Sequence, residues 1–255
     1  MAFAEHDLTT DAFLGGRLGV RQPRAGYRAG IDPVLLAAAV PARGGESVLE
    51  LGCGAGVAAL CLGRRVPETV LAGLELQPGY AALARRNAEE NGIALEVFEG
   101  DLSRMPTALR ARSFDHVIAN PPYFRREAGT RAGDSGRETA MGEATPLAEW
   151  VGAGLRRLRP GGRLTIIQRA DRLPDLLSAL EGRRVSVVVR PIAPRDGREV
   201  TLVILAAVKD RSAPFRLLSP LILHDGPVHR RDGEDYCPPV RAVLRDAAAL
   251  SAWPD

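Results

Sequence analysis

Cysteine is scarce in this chain of 255 residues: there are three copies, an odd number, and none forms a C-x-x-C pair, at Cys53, Cys61 and Cys237. This pattern argues against a disulfide framework and against a cysteine-based zinc site. The four histidines are scattered and follow no metal-ligand spacing. We therefore expect no metal. We interpret Cys53 as a small residue within a glycine loop, and we do not expect Cys237, in a tail with polar and proline neighbours, to be a nucleophile.

Long apolar runs are also missing, since none reaches the ~20 residues that a membrane-spanning helix needs. The first ten residues lack the basic start and apolar core of a secretory signal, so we expect a cytoplasmic protein without a membrane partner. A composition of 45% hydrophobic and 25% charged residues suits one α/β domain. We expect an N-terminal arm and helix at 1–47, a core sheet at 48–209 and a C-terminal extension at 210–255.

Lysine is almost absent, because Lys209 is the single copy and arginine carries nearly all of the positive charge. The formal net charge is +3 and the pI about 9.0. The arginines cluster at 17–28, 125–137, 156–163 and 230–231. Such clusters suit a phosphate backbone, but genomic base composition explains arginine richness equally well, so both interpretations stay open.

What the chain does have is an alternation of apolar β-branched runs with helical periodicity, which is typical of βα units around a mainly parallel sheet. The seven predicted strands are 48–51, 70–76, 95–99, 114–119, 163–168, 185–191 and 200–209. The predicted helices are 32–39, 57–65, 78–91, 146–158 and 173–180. Only 192–199 joins the last two strands, which is too short for a helical crossover, so this pair should be antiparallel.

A glycine-rich turn follows the first of these strands, with glycines at Gly52, Gly54 and Gly56. Glycines allow a tight turn and a close approach of backbone to ligand, and the following helix start offers unpaired N–H groups. A dinucleotide fingerprint would place the third glycine one residue later. The spacing Glu-x-Gly-x-Gly-x-Gly from Glu50 instead resembles that of class I methyltransferases, which use S-adenosylmethionine (SAM).

The sequence Asn120-Pro121-Pro122-Tyr123 follows the fourth strand. Prolines fix φ and donate no hydrogen bond, so this stiff segment can present carbonyl acceptors beside the asparagine amide and the tyrosine ring. Such acceptors suit a ligand that carries an amino group. Both this segment and the glycine turn follow strands, and ligands in such sheets bind beyond the carboxyl ends of the strands.

Further residues at strand ends fit a SAM site. Glu75 is placed to accept from ribose hydroxyls, with Leu76 or Gln77 beside the adenine. Asp101, followed by Leu102, is placed to accept from the adenine amine, although it could equally cap a turn with Ser103. We expect Glu50 and Cys53 in the loop, where Glu50 either orients the backbone or meets the methionine ammonium.

The stretches Phe13–Arg17 and Gln22–Ala37, together with the glycine loop, the Asn-Pro-Pro-Tyr segment and the tail Leu221–His224 with Asp235-Tyr236, resemble the bacterial tRNA adenine methyltransferases that modify the N6 amine of an adenosine beside the anticodon of valine tRNA. The resemblance implies a class I fold, a seven-stranded, mostly parallel sheet with a terminal antiparallel hairpin and helices on both faces. It also implies SAM as cofactor and tRNA as partner.

The resemblance also implies roles for individual residues: the Asn120 side-chain oxygen and the Pro121 carbonyl would accept the two N–H groups of the target amine, and Tyr123 would stack on the base. Phe124 is either a second wall or core. We expect the segment 22–28 to close over the methionine end of SAM, with Arg28 or Tyr27 near the carboxylate; the rival interpretation is a solvated arm. We expect the loop 124–141, with Arg125, Arg126 and Arg131, to gather RNA phosphates, although an ordinary surface loop is the alternative.

Two other functions stay open at this point. Asn-Pro-Pro-Tyr is shared by several amino methyltransferases that act on DNA, RNA and protein glutamine, so a methyltransferase for a protein glutamine or a small amine is one alternative. The other is a SAM-type fold that only binds RNA. The glutamine enzymes usually carry a helical domain before the cofactor loop, and only 47 residues precede Val48 here, which favours RNA. Retention of Asn120 and the glycines favours an enzyme.

Overall fold

The computed structural model describes residues 3–125, 142–143, 145–226 and 235–250. Its strands are β1 Leu8–Phe13, β2 Leu18–Pro23, β3 Ser47–Leu51, β4 Val70–Glu75, β5 Leu95–Glu99, β6 Phe114–Ala119, β7 Phe124–Arg125, β8 Gly142–Glu143, β9 Leu158–Arg169, β10 Val185–Ala193, β11 Leu202–Lys209, β12 Arg216–Leu217 and β13 Leu221–Ile222. Its α-helices are α1 Asp32–Ala39, α2 Val57–Arg65, α3 Pro78–Glu90, α4 Thr107–Arg110, α5 Leu147–Arg157, α6 Leu173–Leu180 and α7 Pro238–Asp246.

A central sheet organises the molecule, in the order β12-β10-β11-β9-β6-β3-β4-β5, with β13 also paired to β10. The strands β5, β4, β3, β6 and β9 pair in parallel, while β11 runs antiparallel to both β9 and β10. The expected antiparallel pair near the end of the chain is therefore confirmed. Because successive crossovers run from β3 outward to β5 and then return to β6, strand order reverses beside β3, which is where such sheets bind ligands.

Helices cover both faces of this sheet and divide the core into two large apolar clusters. One cluster includes α1, α2 and α7 with Ile118 and Ile167, and the other includes α5 and α6 with Val117 and Ile166. Neighbouring residues of β6 and β9 therefore point to opposite faces, as the pleat requires. The later parts of both strands, 116–119 and 164–168, are buried on both sides, which explains the apolar runs 117–119 and 166–167 within them.

The N-terminal region differs from the expected arm, because residues 8–23 form an antiparallel β1–β2 hairpin. A buried side chain on α3, Asn87, attaches it: its Oδ1 accepts from the Arg21 N–H at 2.8 Å, and its Nδ2 donates to the carbonyls of Arg21 at 3.1 Å and Ala55 at 2.9 Å. Asn91 holds both backbone groups of Gly19 in the same way. The hairpin is thus fixed to the helix that flanks the glycine loop.

The C-terminal region adds to the sheet and to the helical layer. Strands β12 and β13 extend the β10 edge, and α7 packs against α1 and residues 14–16. In the part of the chain that the structure describes, no helix is both long enough and apolar enough to cross a membrane.

Candidate active site

A cavity of about 480 Å³ opens beyond the carboxyl ends of β3, β4 and β6. Its lining comes from the segments 22–33, 50–58, 75–80 and 120–123 together with Thr145 and Trp150. We call the glycine loop 52–56 with Glu50 and Glu75 the cofactor half, and Asn120–Tyr123 with Tyr27 and Asp32 the acceptor half. The sheet topology brings the two halves together, because β3 and β6 are neighbours.

The glycines of the cofactor half are required by backbone conformation and by space. Gly52, Gly54 and Gly56 have φ of 66°, 55° and 87°, in the left-handed region that L-residues rarely adopt. A Cβ on Gly52 would lie 2.6 Å from Cη2 of Trp150. The loop is fastened to the neighbouring strand, since the N–H groups of residues 52 and 53 donate to the Leu74 carbonyl at 2.7 and 3.0 Å.

Two buried carboxylates support this loop. Glu50 accepts from the Ala59 N–H at 2.9 Å, and burial, which outweighs that bond, raises the pKa of Glu50 to about 8. Glu75 accepts from the N–H groups of Gly54 and Gln77, both at 2.9 Å, while burial raises its pKa. Each carboxylate oxygen has a second acceptor site, so Glu75 can still bind a diol.

The acceptor half leaves one strong acceptor unused. The Nδ2 of Asn120 donates to the Tyr27 hydroxyl at 3.4 Å, whereas its Oδ1 is buried with no hydrogen-bond partner among the described residues. A buried polar atom without a partner costs about 1–3 kcal/mol. This oxygen is therefore ready for a donor supplied by a ligand.

The tyrosine of the Asn-Pro-Pro-Tyr segment is held from the start of α1. The Tyr123 hydroxyl donates to Oδ2 of Asp32. Burial raises the pKa of Asp32, and the bond from Tyr123 opposes that rise. The pKa of Tyr123 is raised by burial and then by the negative charge of Asp32. The hydrogen bond between the phenol and the Asp32 carboxyl group fixes the ring.

Most of the residues predicted from sequence converge on the cavity. Its lining includes Arg28, Glu50, Gly52, Cys53, Gly54, Glu75, Leu76, Gln77, Asn120, Pro121, Pro122 and Tyr123. Gly56 lies directly behind the lining and has the left-handed conformation that precedes α2. The segment 22–28 lies over the loop: Gln22 is 2% exposed, and Tyr27 lies 3.8 Å from the position of a Cβ on Gly54. Gln22 and Pro23 are buried, whereas Arg24, Ala25 and Arg28 are exposed, so closure of this segment over the methionine end of SAM stays a prediction.

Arg28 reaches the cavity with part of its guanidinium already engaged. Its Nη1 donates to Thr9 Oγ1 and the Pro23 carbonyl, at 2.7 and 2.9 Å, and its Nη2 pairs with Asp11 at 2.5 Å. These contacts join it to the hairpin. A carboxylate could reach only the remaining N–H groups.

Asp101 and Leu102 do not line the cavity. Asp101 Oδ1 accepts from the backbone N–H and the hydroxyl of Ser103, at 2.7 and 2.8 Å, and these bonds lower the pKa of Asp101. This is the turn-capping geometry that the sequence also allowed. The adenine role of Asp101 stays a prediction, carried by its second oxygen.

Several expectations fall outside what the structure describes. The side chains of Phe124 and Arg125 are not among the described ones, and Arg126, Arg131 and the loop 126–141 lie outside the described residues. Cys237 precedes α7 and does not line the cavity, so the thiol lies away from the position that a catalytic nucleophile would need.

Sequence reasoning missed three residues of the site. Asp32 was interpreted only as the start of a helix, although its carboxyl group also accepts a hydrogen bond from the Tyr123 hydroxyl. Trp150 lies against Gly52 and donates from Nε1 to the Thr145 carbonyl at 3.3 Å. Tyr80 donates its hydroxyl to the Tyr27 carbonyl at 3.0 Å. No local motif marks Trp150 or Tyr80, because both act across the cavity.

Comparison with known proteins agrees with this geometry. The family described as methyltransferase small domain matches residues 29–187, which include β3, the glycine loop and the acceptor segment. The chain belongs to the methyltransferase small domain family. Within this family it is 33% identical over 178 residues to the tRNA1(Val) (adenine(37)-N6)-methyltransferase of Porphyromonas gingivalis, covering 66% of this chain and 69% of that protein.

Two further comparisons show how far the similarity extends. The release factor glutamine methyltransferase of Geobacter sulfurreducens is 40% identical over 78 residues, 31% of this chain and 26% of that protein. A solved structure, described as a predicted O-methyltransferase from Agrobacterium tumefaciens, superposes with a TM-score of 0.69 at 24% identity, covering 86% of this chain and 97% of that one. The latter establishes the class I methyltransferase fold.

Proposed function

We propose that this protein transfers a methyl group from SAM to the exocyclic N6 amine of an adenosine in tRNA, at the position beside the anticodon of valine tRNA that its relatives' names indicate. The observation that carries the proposal is Oδ1 of Asn120, which lies buried beside the cavity after β6 and has no hydrogen-bond partner within the described part of the chain. An amine N–H is the donor that this oxygen lacks.

The cofactor half suits SAM. Its glycines leave the backbone open to a ligand; we assign Glu75 to accept from the ribose diol, and Glu50 to orient the loop or to meet the methionine ammonium. We assign binding of SAM to Arg28, Glu50, Gly52, Cys53, Gly54, Gly56, Glu75, Leu76, Gln77, Asp101, Leu102 and Asn120. When bound, SAM supplies an electrophilic methyl group on a sulfonium.

An aromatic amine is a poor nucleophile because the nitrogen lone pair is delocalised into the ring. We propose that the acceptor half raises the reactivity of this nitrogen. We assign the two N–H groups to Asn120 Oδ1 and the Pro121 carbonyl. As nitrogen develops positive charge, these fixed acceptors bind it more strongly than the neutral amine, so they stabilise the transition state selectively. Pro122 stiffens the segment.

The ring of Tyr123 is assigned to stacking on the target base. Extruding a stacked adenine costs a few kcal/mol, and aromatic stacking returns about 1–3 kcal/mol. The bond to Asp32 keeps the ring in place before the base arrives. We assign RNA contacts to Phe124, Arg125, Arg126 and Arg131, and we propose that the whole chain acts as one methyltransferase domain.

The test uses tritiated SAM with total tRNA and with total protein extract, each incubated with the wild-type protein and with Asn120→Ala. We expect label in tRNA, recovered as N6-methyladenosine after nucleoside digestion. Loss of one preorganised polar contact typically lowers kcat about 100- to 1,000-fold, so the variant should fall by at least the lower figure while calorimetry shows SAM still bound.

The other outcomes separate the alternatives. Label in protein and not in tRNA would replace this proposal with a glutamine methyltransferase. SAM binding without transfer to either pool would favour a binding protein. Equal transfer by the wild-type protein and Asn120→Ala would remove Asn120 from the mechanism.

A further inference from the structure

The Asn-Pro-Pro-Tyr segment contacts a residue to which no function has yet been assigned. Gln168, near the end of β9, is fully buried, with 0% of its surface exposed. Its Nε2 donates to the carbonyl oxygens of Pro121 at 3.3 Å and Pro122 at 3.4 Å. The amide nitrogen therefore lies within hydrogen-bonding distance of both carbonyls that follow Asn120.

The orientation of this amide is fixed by its other end. Gln168 Oε1 accepts from the Arg169 backbone N–H at 2.8 Å. A flipped amide would set its oxygen against two carbonyl oxygens and its NH2 against an N–H donor, so the network permits only one assignment. All of the polar groups of the side chain are engaged.

The place of Gln168 in the sheet explains why this contact exists. The parallel pairing of β6 with β9 ends at Ala119 opposite Ile166. The next residues on the β6 side include two prolines, which have no N–H to contribute to a ladder. The side chain of Gln168 donates to the two proline carbonyls instead, and so continues the connection between the two strands beyond their last backbone pair.

The connection matters because proline fixes only half of the backbone geometry. The ring locks φ near −65°, but the direction of the Pro121 carbonyl depends on ψ, which the ring leaves free. A carbonyl oxygen has two acceptor positions. Gln168 occupies one of them and sets ψ, so the other keeps a constant direction.

We propose that Gln168 is a positioning residue that aims the Pro121 carbonyl at the target amine. The proposal rests on the proposed function, in which this carbonyl accepts one N–H of the amine. It adds a residue 47 positions downstream of Pro121, on a different strand, to the machinery that orients the nucleophile.

The test compares Gln168→Met, which keeps the length but removes both donors, with Gln168→Glu. A glutamic acid can donate to a carbonyl only while protonated, and burial raises the pKa of a carboxyl by up to several units. Thr165→Val is the matched control: Thr165 is also 0% exposed on β9, and its hydroxyl has no hydrogen bond to the proline carbonyls among the described contacts.

We expect kcat of Gln168→Met to fall about 10- to 100-fold, the usual effect of misplacing a reacting group by ~1 Å. The SAM affinity of Gln168→Met and the kcat of Thr165→Val should stay within twofold of wild type. The ratio of kcat for Gln168→Glu to that for Gln168→Met should exceed 1 at pH 6 and decline towards pH 10. Using this ratio at each pH cancels titrations that both variants share.

If the role of Gln168 were purely structural, both variants would lose thermal stability, and kcat of Gln168→Glu would not recover at low pH. If Gln168→Met does not fold, the recovery is measured as kcat of Gln168→Glu relative to wild type at each pH. A kcat of Gln168→Met within threefold of wild type, or no advantage of Gln168→Glu at pH 6, would overturn the proposal. Absence of transfer by the wild-type protein would instead count against the proposed function itself.

Discussion

The two halves of the cavity satisfy their polar groups in opposite ways. In the cofactor half, Glu50 and Glu75 accept from backbone N–H groups of Ala59, Gly54 and Gln77, at most 21 residues away. In the acceptor half, contacts join residues 91 and 93 positions apart, and Asn120 Oδ1 has no donor among the residues that the structure describes. Both carboxyl groups of the first half are thus already hydrogen-bonded to backbone, whereas the second half holds a buried oxygen to which a ligand can donate.

The largest expected difference between the halves concerns pH. Glu50 keeps its proton up to a pKa of about 8 in the folded chain, against 4.5 as its ordinary value. The unfolded chain ionises first, so the contribution of Glu50 to stability is present at pH 4.5 and is lost as pH rises to about 8. A difference of one pH unit between the folded and unfolded pKa corresponds to about 1.4 kcal/mol in the free energy of unfolding.

Glu50→Gln keeps the acceptor for Ala59 and removes the titration. We expect its free energy of unfolding to match wild type near pH 5 and to exceed it by several kcal/mol near pH 9, measured by urea denaturation across this range. Glu149→Gln, which removes an exposed carboxylate, gives the background for loss of charge. Parallel pH profiles for wild type and Glu50→Gln would show that the pKa of Glu50 is not raised in the folded chain.

Gly52→Ala should have the next largest effect, because it combines left-handed φ with contact to Trp150 at 2.6 Å. The backbone term costs about 1–2 kcal/mol, and overpacking adds about 1–3 kcal/mol. We expect a lower melting temperature and weaker SAM binding by calorimetry. Gly92→Ala is the matched control, since Gly92 has φ of 64° and no atom within 4 Å of an added Cβ. An equal loss of melting temperature in both variants would mean that the Trp150 contact does not contribute to the effect of Gly52→Ala.

Asp32→Ala tests the acceptor half and should have a smaller effect. Loss of the bond to Tyr123 frees the ring, and we expect kcat to fall about tenfold, as for one hydrogen bond to a charged group, with SAM affinity unchanged. Asp32→Asn retains an acceptor oxygen and should recover most of the activity. Because the two residues act as a pair, Asp32→Ala with Tyr123→Phe should be no slower than either single variant. Additive losses would contradict the pairing.

The same contrast explains what the sequence could predict. The bounds of α1, α2, α6, β5 and β6 agree with the prediction, because capping residues, glycine stops and apolar runs are local signals. The glycine loop with Glu50 and Glu75 was found for the same reason. The antiparallel β10–β11 pair followed from the length of its connection alone.

Long-range contacts account for the rest. The β1–β2 hairpin was predicted as an arm, since the contacts that attach it come from Asn87 and Asn91, more than 60 positions further along the chain. Asp32, Trp150 and Gln168 carry no motif, because each acts on a partner from a distant part of the chain. At Asp101 two local interpretations competed, and the short-range bond to Ser103 is the one present.

Asn87 has a consequence for how the site opens. One amide holds the backbone of Arg21 on one side and the carbonyl of Ala55, inside the glycine loop, on the other. Detaching the hairpin would remove two of the three bonds that orient this amide and leave the loop's carbonyl without a fixed donor. We therefore expect the first two strands and the glycine loop to unfold together, although Asn87 and Ala55 lie 32 positions apart in the sequence.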